Sequence, residues 1–66
     1  MKWSIRLENN SVVIDGEGGE ESGATITVSA EGLICLYEIP QFGGEPRFSG
    51  HAINIVDAIK KAESWT

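Results

Sequence analysis

Three groups of residues in this chain are of types that could do chemistry. The first is Cys35 with His51, the only cysteine and the only histidine. A thiol beside an imidazole is the arrangement of a cysteine nucleophile, and both groups ligate zinc. Nothing in the local sequence brings the two together, and no third orienting group is evident. Cys35 lies mid-strand in a strand-like run and reads as a small buried residue. His51 falls where a helical pattern begins and reads as a solvent contact or local cap, and its charged form would be disfavoured at that end of the dipole. No residue is assigned as catalytic. Zinc needs several Cys or His ligands, so no metal is assigned either, and no cofactor.

The second group is the run of residues 15–23, with four glycines, four acids and no apolar residue. A glycine-rich backbone can cradle phosphate. This one lacks the Lys and Ser/Thr of a P-loop, and its carboxylates would repel an anion. Asp15, Glu17, Glu20 and Glu21 offer hard oxygens for calcium, but the spacing departs from an EF-hand loop and lacks its terminal bidentate Glu. The run reads as a flexible, solvated connection. Glu17, Glu20 and Glu21 form an acidic patch suited to a basic protein partner.

The third group is Phe42, Arg47 and Phe48, in a loop freed by Gly43 and Gly44 and stiffened by Pro46. Aromatics and Arg dominate the energetics of protein–protein contacts, so these are partner-binding candidates. The competing role for the two Phe rings is to plug the open end of a small core.

The elements that must hold these residues follow from periodicity. Trp3, Ile5 and Leu7 alternate with Lys2, Ser4, Arg6 and Glu8, which is a half-buried strand. Asn9, Asn10 and Ser11 make a turn, and Val12-Val13-Ile14 returns, so residues 2–15 form a hairpin. Ala24, Ile26, Val28 and Ala30 alternate with Thr25, Thr27 and Ser29. Glu31-Gly32 turns the chain into residues 33–39, completing a second hairpin. Arg47-Phe48-Ser49 can add a short edge strand. Residues 51–64 carry a helical pattern with Ser49 as N-cap and Ile55, Ile59 and Ala62 on one line, flanked by Ala52 and Val56. Trp65 can fold back onto the sheet edge. The fold class is α+β: a four- to five-stranded antiparallel sheet of two hairpins, with one C-terminal helix packed on one face.

One strand is apolar on both faces. Leu33, Cys35, Tyr37 and Ile39 point one way, and Ile34 and Leu36 the other. A strand reads so when both sides are covered, and one helix covers one side. The spare stripe is therefore either curled over and covered internally or an interface, with Ile34, Leu36 and Tyr37 as its self-association candidates.

Composition narrows the function classes. The 66 residues make one small domain, residues 1–66, whose 41% apolar content suffices for a core. The net charge of −5 argues against direct binding to nucleic acid or anionic lipid. The charged N-terminus is unlike a signal peptide, and no run approaches a membrane span, so a cytoplasmic protein is expected.

The C-terminal half resembles HicB-type antitoxins. Tyr37-Glu38-Ile39-Pro40 ends a strand, Phe48-Ser49-Gly50 ends a short one, and Ile55-Val56-Asp57-Ala58-Ile59-Lys60-Lys61-Ala62-Glu63 follows as a helix. The family's Asp-Leu-Pro-Gly-Cys stretch is absent and an N-terminal hairpin is extra. The resemblance implies an acidic, inhibitor-like protein. The function expected is a small acidic non-enzymatic module that occludes a partner surface, in the manner of phage or plasmid inhibitors. The alternative is a homodimeric accessory module joined through residues 33–39.

Overall fold

Side chains alternate along each strand, and the register of pairing carries that alternation across the sheet. The structure is a computed structural model describing residues 1–65. It contains β1 (Lys2–Glu8), β2 (Ser11–Glu17), β3 (Gly23–Val28), β4 (Ile34–Ile39), β5 (Arg47–His51) and α1 (Ile55–Glu63). Each strand pairs antiparallel with the next, so the sheet is a meander in the order β1-β2-β3-β4-β5. The helix lies across one face, against β3 and β4. This is the α+β architecture expected, with the fifth strand present.

On the helix side, Ile5, Ile14, Ile26 and Leu36 lie opposite one another across β1 to β4, and Leu7, Val12, Val28 and Ile34 form the next row. Ile14, Ile26, Ile34, Leu36 and Ala58 make the core, with Trp3, Val12, Val28, Ala52, Ile59 and Trp65 packed around it. The helix buries Ala58 and Ala62, small residues that let it approach the sheet closely. Ile55 and Val56, expected on or beside the buried line, are exposed. A nine-residue helix is roughly 13 Å long and seated over β3 and β4, so it meets β1 at Trp3, whose Nε1 donates to Glu63 Oε2 at 3.4 Å, and leaves the rest of that strand uncovered. Ile5 and Leu7 therefore face the helix side yet stay 71% and 80% exposed. The expectation of a half-buried first strand holds only for Trp3.

Three boundaries differ from the sequence reading, the first at the second hairpin, where β3 ends at Val28 and β4 begins at Ile34, so Ala30 and Leu33 fall in the turn and are exposed. The glycine-rich connection shrinks to residues 18–22, because β2 continues through Glu17 and β3 begins at Gly23. Gly16 sits opposite Trp3, and a Cβ there would lie 2.7 Å from the indole ring. Glycine here makes room for an aromatic ring rather than loosening a loop.

The helix also starts later. His51 belongs to β5, and Ser49 lies at a bulge, where the β4–β5 register shifts between Leu36 and Tyr37. Asn54 is the N-cap: its side chain accepts from the Asp57 backbone N–H at 2.8 Å, while Asp57 accepts from Ile53 N–H at 3.1 Å. The Ile53 N–H, together with Lys61 one turn on, holds the Asp57 carboxyl below its usual range. Asn54→Ala should lower stability by about 1 kcal/mol, read as a lower urea midpoint at unchanged slope. Ser49→Ala should be near neutral.

Candidate functional site

The two loops singled out from the sequence meet at one end of the sheet. The 18–22 loop closes on itself through Gly18 N–H to Ser22 O at 2.9 Å and Ser22 Oγ to Gly19 O at 2.5 Å. The connection after β4 turns through Gly43 N–H to Pro40 O at 3.1 Å. Phe42 N–H then donates to Glu20 O at 2.6 Å, tying one loop to the other. Glu20, Glu21 and Phe42 all have positive φ, at 53°, 63° and 67°. Three non-glycine residues held there mark a junction that the surrounding contacts over-determine.

Between the loops lies a cleft of about 680 Å³. Ile39, Pro40 and Trp65 supply apolar walls, and Glu20, Glu38 and Arg47 bring charge. The register places Glu38 opposite Arg47, and Glu17 beside Gly23 on the same rim. Glu45 stands in the adjoining loop. The ion pairs of the described residues join Arg6 to Glu8 and Asp15, and Lys61 to Asp57. The carboxylates of Glu17, Glu20, Glu21, Glu38 and Glu45 take no part in them, and neither does Arg47. This end of the sheet therefore carries an excess of unneutralised negative charge around an apolar floor.

The partner-binding candidates are thus partly gathered. Glu20 and Arg47 line the cleft, Phe42, 74% exposed, is tied to it through the Glu20 carbonyl, and Glu17 and Glu21 lie in the strand end and loop that carry Glu20. Phe48 does not join them. The β5 bulge turns Phe48 and His51 to the same open face, where regular alternation would separate them. Phe48 packs edge-on against Tyr37 at 5.7 Å and against His51 at 5.3 Å, and remains 58% exposed. Neither Phe plugs the core.

The same bulged pairing sets His51 opposite Cys35, so the two residues that no local sequence links do meet. Cys35 Sγ lies 3.7 Å from His51 Nδ1, which is also 3.2 Å from the Ile34 carbonyl. A carbonyl only accepts, so Nδ1 carries the hydrogen. Among the described residues no acidic group orients this imidazole, and no cluster of three or more Cys, His, Asp or Glu could hold a metal ion. A thiol and an imidazole alone do not make a zinc site or a triad.

The self-association candidates divide between the faces. Ile34 and Leu36 are buried beneath the helix, at 8% and 2% exposure, and present no surface to a second chain. Tyr37 lies on the open face with Cys35 and Ile39. That face also carries Val13, which is buried, and a polar cluster in which Arg6 Nε donates to Asp15 at 3.0 Å and Thr25 Oγ1 donates to the same carboxylate at 3.1 Å. Among the described residues no helix is long and apolar enough to cross a membrane. Compared with known proteins, the chain matches no family model, no curated protein and no solved structure.

Proposed function

We propose that this protein is a non-enzymatic binding module that docks its cleft end onto a basic surface of another protein. The observation that carries this reading is the cleft itself, where Glu20 and Glu38, outside the ion pairs of the described residues, stand beside a floor of Ile39, Pro40 and Trp65, with Glu17 and Glu21 in the strand end and loop that lead to it. A Lys or Arg side chain suits such a cleft: its stem lies on apolar walls and its head meets carboxylates. Trp65 adds a ring face for the cation. Phe42 at the rim is the exposed aromatic anchor. Occlusion of a partner's working surface, as small acidic inhibitors of phages and plasmids achieve it, is the activity this surface chemistry favours. A cytoplasmic setting agrees with a free thiol at Cys35.

Affinity capture from the native host tests the reading. The wild-type chain should retain a basic protein at low salt and release it as ionic strength rises. The combined variant Glu17→Gln, Glu20→Gln, Glu21→Gln should bind at least about tenfold more weakly. Equal retention by wild type and variant, or retention insensitive to salt, would reject this surface as the binding site.

A further inference from the structure

We propose that β1 is a self-pairing edge, joining two copies of this chain antiparallel about a two-fold axis at Ile5. This inference is independent of the cleft and of what it binds. The sheet has two edges. β5 is blunted by Pro46 before it, by the bulge at Ser49 and by Gly50 at φ 132°. β1 has none of these devices: seven residues pair with β2 in unbroken register.

The direction of its free backbone groups follows from the hairpin. The two-residue loop Asn9-Asn10, with Asn9 at φ 55°, makes Glu8 and Ser11 a hydrogen-bonded pair. Alternation then points the N–H and C=O of Glu8, Arg6, Ser4 and Lys2 toward β2. Those of Trp3, Ile5 and Leu7 point outward, unpaired. A second β1 can therefore pair Ile5 with Ile5, and Trp3 with Leu7 twice, satisfying the outward groups of all three.

Charge selects that register. Centred on Ile5, antiparallel pairing sets Lys2 of each copy opposite Glu8 of the other, and Ser4 opposite Arg6. Sliding two residues one way opposes Lys2 with Arg6, and two residues the other way opposes Arg6 with Arg6; both place like charges together. Among the described residues Lys2 makes no ion pair, so it can meet Glu8 of the second copy. The pairing also covers the two exposed apolar side chains that the helix leaves bare, Ile5 and Leu7. With two cations and one carboxylate, β1 lies outside the acidic surface of a chain of net charge −5. The product is a continuous ten-stranded sheet with both helices on one face.

The test is mass in solution by light scattering, from micromolar to millimolar protein, with circular dichroism as the check on folding. The wild type should be a dimer that dissociates on dilution. Ile5→Pro removes an outward N–H without touching the β2 ladder and should give a folded monomer. Glu8→Lys should weaken self-association about tenfold at low salt, since two attractive pairs become repulsive. Lys2→Glu combined with Glu8→Lys should restore it, although the contact of position 8 with Arg6 in the same chain stays lost. Should Ile5→Pro unfold, the charge reversal and its rescue decide. A wild-type monomer throughout, a dimer unchanged by Ile5→Pro, or a double variant no better than Glu8→Lys would overturn the proposal.

Discussion

Ile26→Ala should leave little folded protein at room temperature. Ile26 is fully buried, paired with Ile14 on one side and Leu36 on the other, in a core that includes Ala58 of the helix. Removing its branched end takes away packing shared by three strands and α1, and the small alanines of the helix cannot lean in to refill the space. Such substitutions cost about 2–5 kcal/mol. A chain of 66 residues has roughly 3–10 kcal/mol in total at ordinary per-residue stability. The loss is therefore comparable with the whole. Urea unfolding followed by circular dichroism reads it directly: the midpoint should fall near zero denaturant. Ile53→Ala, at a side chain 88% exposed, should change stability by no more than about 0.5 kcal/mol and leave the midpoint nearly where it is. Similar midpoints for the two variants would mean that the core is not centred on β3.

The elements that could be read from the sequence are those whose signal is local. Period-two alternation in residues 2–8 and 24–30 reports strands because a sheet has two faces and water wets one. The helix is legible in its periodicity, and its true start is legible too: Asn54 with Asp57 three residues on is a capping pattern. It was masked by His51, Ala52 and Ile53, whose mixed polarity extends the helical rhythm into a segment that β5 and its connection occupy. Which stripe of β4 is buried was never a local matter. Both stripes are apolar, and the choice depends on the side from which a helix beginning sixteen residues after Ile39 returns.

The site was legible in its parts and not in its assembly. Acids in a glycine run, and aromatics with Arg in another loop, are recognisable surface chemistry. Their union depends on Phe42 N–H reaching Glu20 O, a backbone contact between residues far apart in sequence, with no side-chain signature. Cys35 and His51 meet for a similar reason. A one-residue bulge at Ser49 reverses the facing of β5, and period-two reasoning then assigns Phe48 and His51 to opposite faces when they share one. Misplacing one residue inverts the assignment of every side chain beyond it.

Glycines give the second large effect, and they divide by what a methyl group would meet. Gly23 opens β3 opposite Glu17, and a Cβ there would lie 2.3 Å from the Gly16 carbonyl oxygen. That atom is backbone, held in the β2–β3 ladder, so it cannot swing aside as a side chain could. Gly23→Ala must push the strands apart where the cleft loop begins, at about 1–3 kcal/mol. At Gly16 the added carbon would approach the Met1 sulfur and the Trp3 ring, which can shift, so Gly16→Ala should cost less. Gly19 has open space around its Cβ position and no positive φ, so Gly19→Ala should be neutral or stabilise by up to about 1 kcal/mol through a stiffer unfolded chain. The expected order of urea midpoints is Gly19→Ala highest, then Gly16→Ala, then Gly23→Ala. Because Gly23 also lines the cleft, its variant should loosen the tie between Phe42 and Glu20, seen as faster hydrogen exchange at the Phe42 amide. If Gly23→Ala instead matched Gly19→Ala in both midpoint and exchange, residues 18–23 would be one flexible connection, and the cleft would lose the fixed strand end that gives it shape.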